Sequence, residues 1–398
     1  MPHRKAEGGE TVACSFSLAQ WMESDSPLKQ DTMKHPASLL LAIAAALAFT
    51  TSFSFADDAL TRAAALATPE QLERLLKRFP EADANHDGKL TVEEGLEYLR
   101  KMRGGGKSKG AAASEIKPDH ADVSYGAHPN NKLDLWLAKS DQPAPLVVFI
   151  HGGGFVAGDK SSVSAAAIRE CLDSGVSIAS INYRFRTEAS INTVLRDCAR
   201  AVQFLRCNAK EYHLDKTRVA AFGGSAGAGT SLWLAFHDDL ADAKSDDPVL
   251  RESTRLAAAA SSAGQASYDI MKWKDVLGSD EAMRFYPQSM WPAFYGLNTL
   301  EDLETEKGKQ LRADVDMLGL ISSDDPPVFL AAGENHDALA NKGDTNHSPK
   351  HSEAVKKRCD EAGVKAVLKI GAKVQGGDGE TSPVAFLLRH LGVKSAAK

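Results

Sequence analysis

From about residue 121 onward, short apolar runs alternate with longer segments in which apolar residues recur at helical spacing. Short apolar runs bounded by turn residues are typical of buried strands. The predicted strands cover residues 133–138, 146–150, 176–183, 218–222, 256–261, 328–332 and 366–370, and the predicted helices cover 191–209, 226–236, 349–362 and 382–391. Because uninterrupted apolar strands must be covered on both faces, the pattern predicts an α/β fold with a mostly parallel sheet and helices on both sides.

The segment 68–102 has a different pattern, in which two helical stretches flank a polar loop that runs from Asp83 to Glu94. Side-chain oxygens fall at the first, third, fifth and ninth places of the loop, glycine at the sixth and glutamate at the twelfth. This is the spacing of an EF-hand, which wraps a calcium ion. The predicted Ca²⁺ ligands are the side chains of Asp83, Asn85, Asp87, Thr91 and Glu94 and the carbonyl of Lys89.

The loop therefore predicts a small helical EF-hand module that precedes the α/β domain and binds one Ca²⁺. The alternative is a turn rich in Asp and Asn that holds no metal. No second loop of this pattern occurs in the sequence. Since EF-hands usually act in pairs, a structural or docking role is favoured over that of a dedicated calcium sensor.

Residues 33–56 have the organisation of a secretory signal peptide. A short basic start is followed by an apolar run at 39–49 and by small residues up to Ala56. The apolar run is shorter than the roughly 20 residues that a membrane-spanning helix requires, so we expect export with cleavage near Ala56 and no stable membrane span. An uncleaved anchor is the alternative. Residues 1–32 lack periodicity and predict a mis-assigned start, with Met33 as the true first residue.

Composition narrows the function further. The chain has 398 residues, 43% hydrophobic and 25% charged, with a formal net charge of −6, values typical of a globular protein. Mild acidity without a long basic run argues against a nucleic-acid partner and favours small-molecule chemistry.

Residues 103–118 are rich in glycine and lysine and predict a flexible linker before a domain at 119–398. Five cysteines are too few for a disulfide scaffold, and pairing between Cys171 and Cys359 is left open.

Two glycine-rich motifs follow predicted strands at their carboxyl ends, where α/β sheets place their sites. The first is His151-Gly-Gly-Gly154, whose glycines let the backbone approach a ligand and turn N–H groups toward it. The second is Gly223-Gly-Ser225-Ala-Gly227, and Gly-x-Ser-x-Gly between a strand and a helix is the nucleophile elbow of serine hydrolases. Together the motifs predict an acyl-transfer site built on a serine.

With these motifs, residues 123–393 resemble the α/β-hydrolase superfamily, specifically the hormone-sensitive-lipase-like and feruloyl-esterase-like carboxylesterases. Asp197-x-x-Arg-Ala-Val and Leu214-Asp-x-x-Arg-Val, which precede the elbow, extend the likeness. The resemblance implies ester hydrolysis without an organic cofactor. The roles that it implies are nucleophile for Ser225, oxyanion-hole N–H donors for Ala226 and for Gly153 or Gly154, and support of the glycine loop for His151, which is then not the base.

The resemblance also guides the choice of the catalytic acid. The family expects an aspartate about three places after the strand at 328–332, where this chain reads Glu334-Asn-His336-Asp337. Aligned backwards from Gly343, Asp337-Ala-Leu-x-x-x-Gly fits the family's Asp-Pro-Leu-x-x-x-Gly with one residue inserted. Asp337 is therefore the first choice for the acid, and Glu334 the second.

The family's base histidine should follow the last strand, but residues 371–383 contain none, and Val374 occupies about the expected place. A serine hydroxyl is a poor nucleophile until a base takes its proton, and removing the histidine of such a pair costs about 10⁶ in kcat. Three histidines elsewhere could substitute: His336, His347 and His351.

An insertion at about 266–322 is rich in aromatic residues. They include Trp273, Phe285, Tyr286, Trp291, Phe294 and Tyr295, together with Met290. The family places a cap over the active site at this point, so one interpretation is a stacking wall for an acyl, aryl or sugar group. The other is ordinary packing of an insertion onto the sheet.

The first hypothesis is an exported serine esterase that acts on a small ester, for example an acyl substituent on a carbohydrate, and that also binds calcium. The missing histidine supports an alternative of another class. In it, the hydrolase fold is catalytically impaired and serves as a calcium-assisted module that binds carbohydrate or protein.

Overall fold

A computed structural model describes residues 116–334, 339 and 341–393, together with Leu72, Leu76, 82–83, 87–91 and Glu94 in the N-terminal part. The chain divides into two compact units, Met1–Lys107 and Ser108–Lys398. The boundary falls inside the predicted linker. The predicted leader and signal peptide lie outside the described residues.

The second unit is built on a mixed sheet, which in the described part of the chain has nine strands. The strands are β1 (His120–Ser124), β2 (Lys132–Trp136), β3 (Ala144–Ile150), β4 (Ser177–Ile181), β5 (Leu214–Gly224), β6 (Ala258–Ser262), β7 (Val328–Ala332), β8 (Ala366–Ile370) and β9 (Lys373–Gln375). Their order across the sheet is β1-β2-β4-β3-β5-β6-β7-β8-β9. Pairing is parallel from β4 through β8 and antiparallel at both edges, which confirms the predicted mostly parallel sheet.

Helices occupy each connection from β3 to β8, and a further helix follows β9. They are α1 (Ala165–Asp173), α2 (Ile191–Cys207), α3 (Ala226–Phe236), α4 (Trp273–Leu277), α5 (Trp291–Phe294), α6 (Glu306–Ala313), α7 (Met317–Leu320), α8 (Lys342–His347), α9 (Pro349–Ala362) and α10 (Pro383–His390). The four predicted helices correspond to α2, α3, α9 and α10. Short 3₁₀ turns at Ile270–Lys272, Glu281–Phe285, Gln288–Met290 and Glu301–Glu304 complete the insertion between β6 and β7.

Strand β3 shows why helices cover both faces of the sheet. Leu146, Val148 and Ile150 pack in the core that also contains buried residues of α2, α3 and α9. Val147 instead packs in the core formed with α1 and α10. Because successive side chains of a strand point to opposite faces, an apolar run of this kind is stable only between two layers of helix.

The strand order reverses between β3 and β5. The chain passes from β3 to β4 on one side, and from β4 it returns to β5 on the other side of β3. A reversal of this kind opens a crevice at the carboxyl ends of the strands. His151 follows β3 and Ser225 follows β5, so the fold brings the two glycine-rich motifs to the same crevice.

In the described part of the chain, no helix combines the length and the apolar character needed to cross a bilayer. The cysteines at 171, 198, 207 and 359 are free thiols. Cys171 is buried in the core on the α1 and α10 side, whereas Cys359 is buried in the core on the other face. Burial raises the pKa of both thiols to about 12, so both are protonated apolar residues of the core.

Candidate active site

Ser225 lies in the sharp turn between β5 and α3. Its φ of 54° and ψ of −119° belong to a region that residues other than glycine rarely occupy. The Ser225 N–H donates to the carbonyl of Ser262 at 2.9 Å, which ties the turn to β6. This is the backbone geometry by which an elbow holds a serine hydroxyl above the sheet.

Small residues on either side of Ser225 let the elbow pass close under β3. A Cβ atom on Gly227 would lie 2.0 Å from the carbonyl oxygen of Ile150, and one on Gly223 would lie 2.5 Å from the same atom. A Cβ atom on Gly224 would meet nothing within 4 Å. Close packing therefore requires glycine at 223 and 227, but not at 224.

His347 lies directly against the serine. Its Nε2 atom is 2.8 Å from Ser225 Oγ, so the hydroxyl can donate to Nε2 when Nδ1 carries the ring proton. His347 is the last residue of α8, in the connection that follows β7. The structure thus brings together two of the predicted site residues, and the histidine comes from a different segment than the family pattern led us to expect.

Two capped helices meet at His347. The side chain of Asn341 caps α8 by accepting the N–H of Asp344 at 3.0 Å. Ser348 caps α9, in which Pro349 occupies a first-turn position that needs no hydrogen-bond donor. The caps hold the backbone on both sides of His347, the position from which its side chain reaches Ser225.

Burial lowers the pKa of His347 from its ordinary value of 6.5, while the negative charge of Asp344 acts to raise it. A general base must be neutral to accept a proton. The lowered pKa keeps the His347 ring neutral at near-neutral pH.

His351 does not lie at the serine. Its ring is fully buried, its Nδ1 accepts the N–H of Ala266 at 3.3 Å, and its Nε2 donates to the carbonyl of Thr345 at 3.1 Å. Burial lowers its pKa to about 4, so the ring is neutral. His351 connects α8 to the start of the insertion, and its occupied nitrogens leave it no role as base. The third candidate, His336, lies outside the described residues.

Of the two candidates for the catalytic acid, the first choice, Asp337, lies outside the described residues. Glu334, the second choice, has its carboxylate beside the end of β8, since a Cβ atom on Gly371 would lie 2.0 Å from Glu334 Oε1. Among the described residues, Asp344 is the carboxylate whose charge acts on the pKa of His347.

The loop after β3 carries the predicted oxyanion-hole donors. Gly153 and Gly154 have φ of 109° and 61°, and a Cβ atom on Gly153 would lie 2.0 Å from the carbonyl oxygen of Ala157. Ala226 is the first residue of α3, and its N–H belongs to the first turn, which has no intrahelical acceptor. Gly154 and Ala226 both line the cavity beside Ser225.

His151 supports this loop from below. It is 1% exposed, its Nδ1 donates to the carbonyl of Gly152 at 2.7 Å, and its ring stacks on Tyr183 with the ring centroids 4.3 Å apart. The Tyr183 hydroxyl donates to the carbonyl of His151 at 2.7 Å. His151 therefore contacts the glycine loop and Tyr183, and not Ser225.

A cavity of about 160 Å³ opens beside Ser225. The insertion contributes its apolar wall, which consists of Tyr268, Ile270, Trp273, Tyr286, Met290, Trp291 and Phe294. Tyr295 has a different role, since it is 1% exposed and its hydroxyl donates to the carbonyl of Tyr268 at 3.0 Å. The aromatic segment thus forms both the wall of a site and the packing that holds it.

Val374, at the place where the family has its histidine, lies on β9. This strand pairs antiparallel with β8, with Val374 opposite Lys369, and the Val374 side chain is 38% exposed. A tight hairpin therefore occupies the region of the expected histidine loop. The clue available in the sequence was the position of His347, two residues before the predicted helix at 349–362, which packs on β8, the last parallel strand.

In the N-terminal unit, carboxylates of the polar loop accept hydrogen bonds from N–H and hydroxyl groups of the same loop. Asp83 accepts the N–H of Asp87 at 3.2 Å and that of Gly88 at 2.9 Å, and Gly88 has a φ of 79°. Glu94 accepts the N–H and the hydroxyl of Thr91 at 3.0 and 2.8 Å.

The other predicted calcium ligands are only partly described. The Lys89 N–H donates to Asp87 Oδ1 at 2.9 Å, and Asn85 is not among the described residues. The described residues contain no group of three or more His, Cys, Asp or Glu side chains placed to hold a metal ion. The calcium site therefore stays a prediction.

A strand-order reversal, a strained serine elbow and a histidine in contact with the serine define a protein of the α/β-hydrolase class. The model of the BD-FAE family matches residues 133–350, more than half of the chain. The chain therefore belongs to the BD-FAE family.

Individual relatives agree with this class. A probable isoprenylcysteine alpha-carbonyl methylesterase of Arabidopsis thaliana is 29% identical over 31% of this chain and 29% of its own length. A probable carboxylic ester hydrolase of Mycobacterium tuberculosis is 27% identical over 62% of this chain and 55% of its own. The chain thus matches less than two thirds of the length of these relatives.

Among solved structures, a truncated carbohydrate esterase from gut microbiota superposes with a TM-score of 0.53. The superposition covers 71% of this chain and 99% of that one at 17% identity. A likeness at this level of identity concerns the fold.

Proposed function

We propose that the chain hydrolyses small carboxylic esters with Ser225 as nucleophile and His347 as general base. The observation that carries this proposal is the 2.8 Å contact between Ser225 Oγ and His347 Nε2 at the carboxyl edge of the sheet. The strained backbone of Ser225 and the glycine loop beside it support the same chemistry.

In the proposed reaction, Ser225 Oγ attacks the ester carbonyl while His347 Nε2 takes its proton. The N–H groups of Ala226 and of Gly153 or Gly154 stabilise the negative oxygen of the tetrahedral intermediate. The intermediate collapses, the alcohol leaves with the proton from His347, and the acyl group stays on Ser225. Water then attacks the acyl-enzyme by the same steps and releases the carboxylic acid.

The size of the cavity supports a short acyl group. Pockets for drug-sized ligands measure about 300–1,000 Å³, whereas the space beside Ser225 is about 160 Å³. Aromatic side chains such as Trp291 and Phe294 offer faces on which a sugar or aryl ring can stack. We therefore propose acyl substituents on carbohydrates as substrates, a choice that the similar fold of a carbohydrate esterase also suggests.

The direct test compares wild type, Ser225→Ala and Ser161→Ala in the hydrolysis of 4-nitrophenyl acetate and of an acetylated methyl glucoside. Ser161 is exposed and lies away from the cavity, so its variant controls for a serine-to-alanine change alone. We expect Ser225→Ala to lose activity by about 10⁶ in kcat, with Ser161→Ala unchanged. Equal rates for wild type and Ser225→Ala would contradict the proposal.

The competing hypothesis of an impaired binding module depended on the missing histidine after the last strand. His347 reaches Ser225 from the connection after β7, so the lack of a histidine near Val374 no longer argues for loss of catalysis. This favours the esterase over the binding module.

We further propose that the N-terminal unit binds Ca²⁺. The turn that Asp83 makes around the N–H groups of Asp87 and Gly88, with glycine at positive φ, is the local geometry that an EF-hand loop requires. The oxygen-rich donor set fits a hard cation. Asp83, Asn85, Asp87, Thr91 and Glu94 would hold the ion through their side chains and Lys89 through its carbonyl, which would stabilise the loop.

Calorimetric titration with Ca²⁺ tests this proposal on the full chain. Wild type should bind with a Kd on the order of 10⁻⁴–10⁻³ M or tighter, and Glu94→Gln should bind more weakly because one charged ligand is lost. Glu361→Gln, an exposed change in the other unit, serves as the control. Equal affinity of Glu94→Gln and wild type would remove the EF-hand.

We also propose export directed by residues 33–56. Expression from Met33 in a bacterial host should yield a protein outside the cytoplasm whose intact mass corresponds to a first residue of Asp57. A protein that keeps Met33 at its N-terminus would contradict this proposal.

A further inference from the structure

Two cationic side chains, Arg186 and Lys342, line the cavity beside Ser225. No acidic side chain is among the described residues that form its walls. Polar neighbours are already engaged with one another, since Gln265 Nε2 donates to the carbonyl of Asn346 at 2.8 Å. Both charged groups that a ligand would meet in this cavity are therefore positive.

The neighbouring Arg184, in contrast, is paired with a carboxylate of the same domain. Its Nε and Nη2 atoms donate to the two carboxylate oxygens of Asp197 at 2.8 and 2.6 Å. Arg186, two residues later, forms no ion pair and no side-chain hydrogen bond with any residue that the structure describes. Its guanidinium carbon lies 5.5 Å from the centre of the Phe294 ring.

Arg186 is half-buried, and this burial lowers its pKa because the charged form loses hydration. The group that counteracts the shift is the phenol of Tyr286, which is a weak acid and not a carboxylate. Partly buried cations are normally paired, since an unpaired charge carries an uncompensated loss of solvation. The guanidinium of Arg186 therefore has five N–H donors with no side-chain or backbone acceptor among the described residues, and they are available to a ligand in the cavity.

Lys342 is the second cation that lines the cavity. Its Nζ is 4.9 Å from the centre of the Tyr286 ring, and the residue is exposed. Tyr286 thus interacts with two cations, the half-buried Arg186 and the exposed Lys342. An anion entering the cavity would be attracted first by the exposed ammonium and then held by the guanidinium.

We propose that Arg186, assisted by Lys342, binds a carboxylate carried by the same molecule as the scissile ester. A guanidinium pairs with a carboxylate through two parallel hydrogen bonds, which would also orient the ester toward Ser225. The inference rests on the proposed esterase function and specifies its substrate class. The carboxylate can belong to the acyl part, as in a half-ester of a dicarboxylic acid, or to the alcohol part, as in an acylated uronic acid.

Matched substrate pairs separate these two sources. One pair is 4-nitrophenyl butyrate and 4-nitrophenyl hemisuccinate, and the other is a monoacetylated methyl glucoside and the corresponding glucuronide. The readout is the ratio of kcat/KM for the anionic member to kcat/KM for the neutral member. We expect the wild-type ratio to exceed one in one pair, and Arg186→Gln to lower that ratio about 10- to 100-fold.

Arg186→Lys should recover part of the ratio, because it restores the charge without the paired donors. Arg251→Gln, an exposed change outside the cavity, should leave the ratio at its wild-type value. A wild-type ratio at or below one in both pairs, or a ratio that Arg186→Gln does not change, overturns the inference.

A binding measurement distinguishes failure of this inference from failure of the proposed function. Calorimetry with Ser225→Ala, alone and combined with Arg186→Gln, measures affinity for the four compounds without turnover. Tighter binding of an anionic member that is lost in the double variant supports the carboxylate site even if wild type hydrolyses no ester. Equal binding of anionic and neutral members overturns the site even if the esterase is active.

Discussion

The serine side and the histidine side of the site differ in how strictly the fold fixes them. Ser225 emerges where β5 meets α3, and the glycines around it pass so close to Ile150 that a Cβ atom would overlap with its carbonyl. His347 stands at the junction of two capped helices, α8 and α9, whose ends are held by side-chain contacts and not by sheet geometry. The sheet therefore determines the position of Ser225, and the helix-containing connection from β7 to β8 supplies His347.

This difference explains how His347, the proposed base, can come from a segment other than the one after the last strand and still contact Ser225. An elbow works at only one kind of place, directly after a parallel strand at the reversal of strand order. A base needs only to bring a ring nitrogen within about 2.6–3.2 Å of the hydroxyl. Any connection at the same edge of the sheet can do this, and here the connection from β7 to β8 does.

The largest expected effect tests the histidine side. His347→Ala should lower kcat for 4-nitrophenyl acetate by on the order of 10⁶, because the serine loses its proton acceptor. His213→Asn is the matched control, since His213 is exposed and has a φ of 53° that asparagine tolerates. If His347→Ala keeps more than a tenth of the wild-type rate, another group is the base and the comparison between the two sides fails.

The serine side is tested by packing. Gly227→Ala should lower the free energy of unfolding by about 1–3 kcal/mol, because its Cβ would overlap with the carbonyl of Ile150. Gly224→Ala should change it by less than about 0.5 kcal/mol, since its Cβ points into open space. Urea denaturation measures both. Equal stabilities for the two variants would show that the backbone of the elbow can shift to accommodate a Cβ atom, and that the sheet does not fix Ser225 more strictly than α8 fixes His347.

The smallest expected effect concerns the charge next to the base. Because the proposed mechanism requires a neutral His347, kcat/KM should fall as the pH drops through its lowered pKa, with a midpoint below 6.5. Asp344 acts to raise this pKa, so Asp344→Asn should move the midpoint further down, by about a few tenths of a unit for a partly solvated pair. Asp246→Asn, an exposed change elsewhere, is the control. A midpoint that moves upward would contradict this account.

Most of the sheet could be predicted because its strands are uninterrupted apolar runs. All seven predicted strands are present in the structure. The strand order reverses between β3 and β5, which places the two glycine-rich motifs side by side. The two strands that the pattern did not predict are at the edges. His120–Ser124 has no buried residue, and Lys373–Gln375 is exposed throughout, so neither carries the apolar signal of a buried strand.

Within the site, the elbow and the glycine loop were predictable because local sterics require their glycines. The partner of Ser225 could only be narrowed to three histidines, since the choice depends on contacts between segments distant in sequence. His351 shows the limit of that reasoning. It lies four residues after His347 in the sequence, yet it is buried and bonded to the backbone of Thr345 and Ala266.

The short helix that ends in His347 is also the support of the aromatic wall. Asn346 accepts the hydroxyl of Tyr286, and its carbonyl is held by Gln265 at the root of the insertion. Widening the cavity by displacing Tyr286 would therefore pull on the residue next to the base. In kinetic terms, acyl groups too large for the cavity should lower kcat as well as raise KM, so the proposed esterase would discriminate against bulky esters during the chemical step and not only during binding.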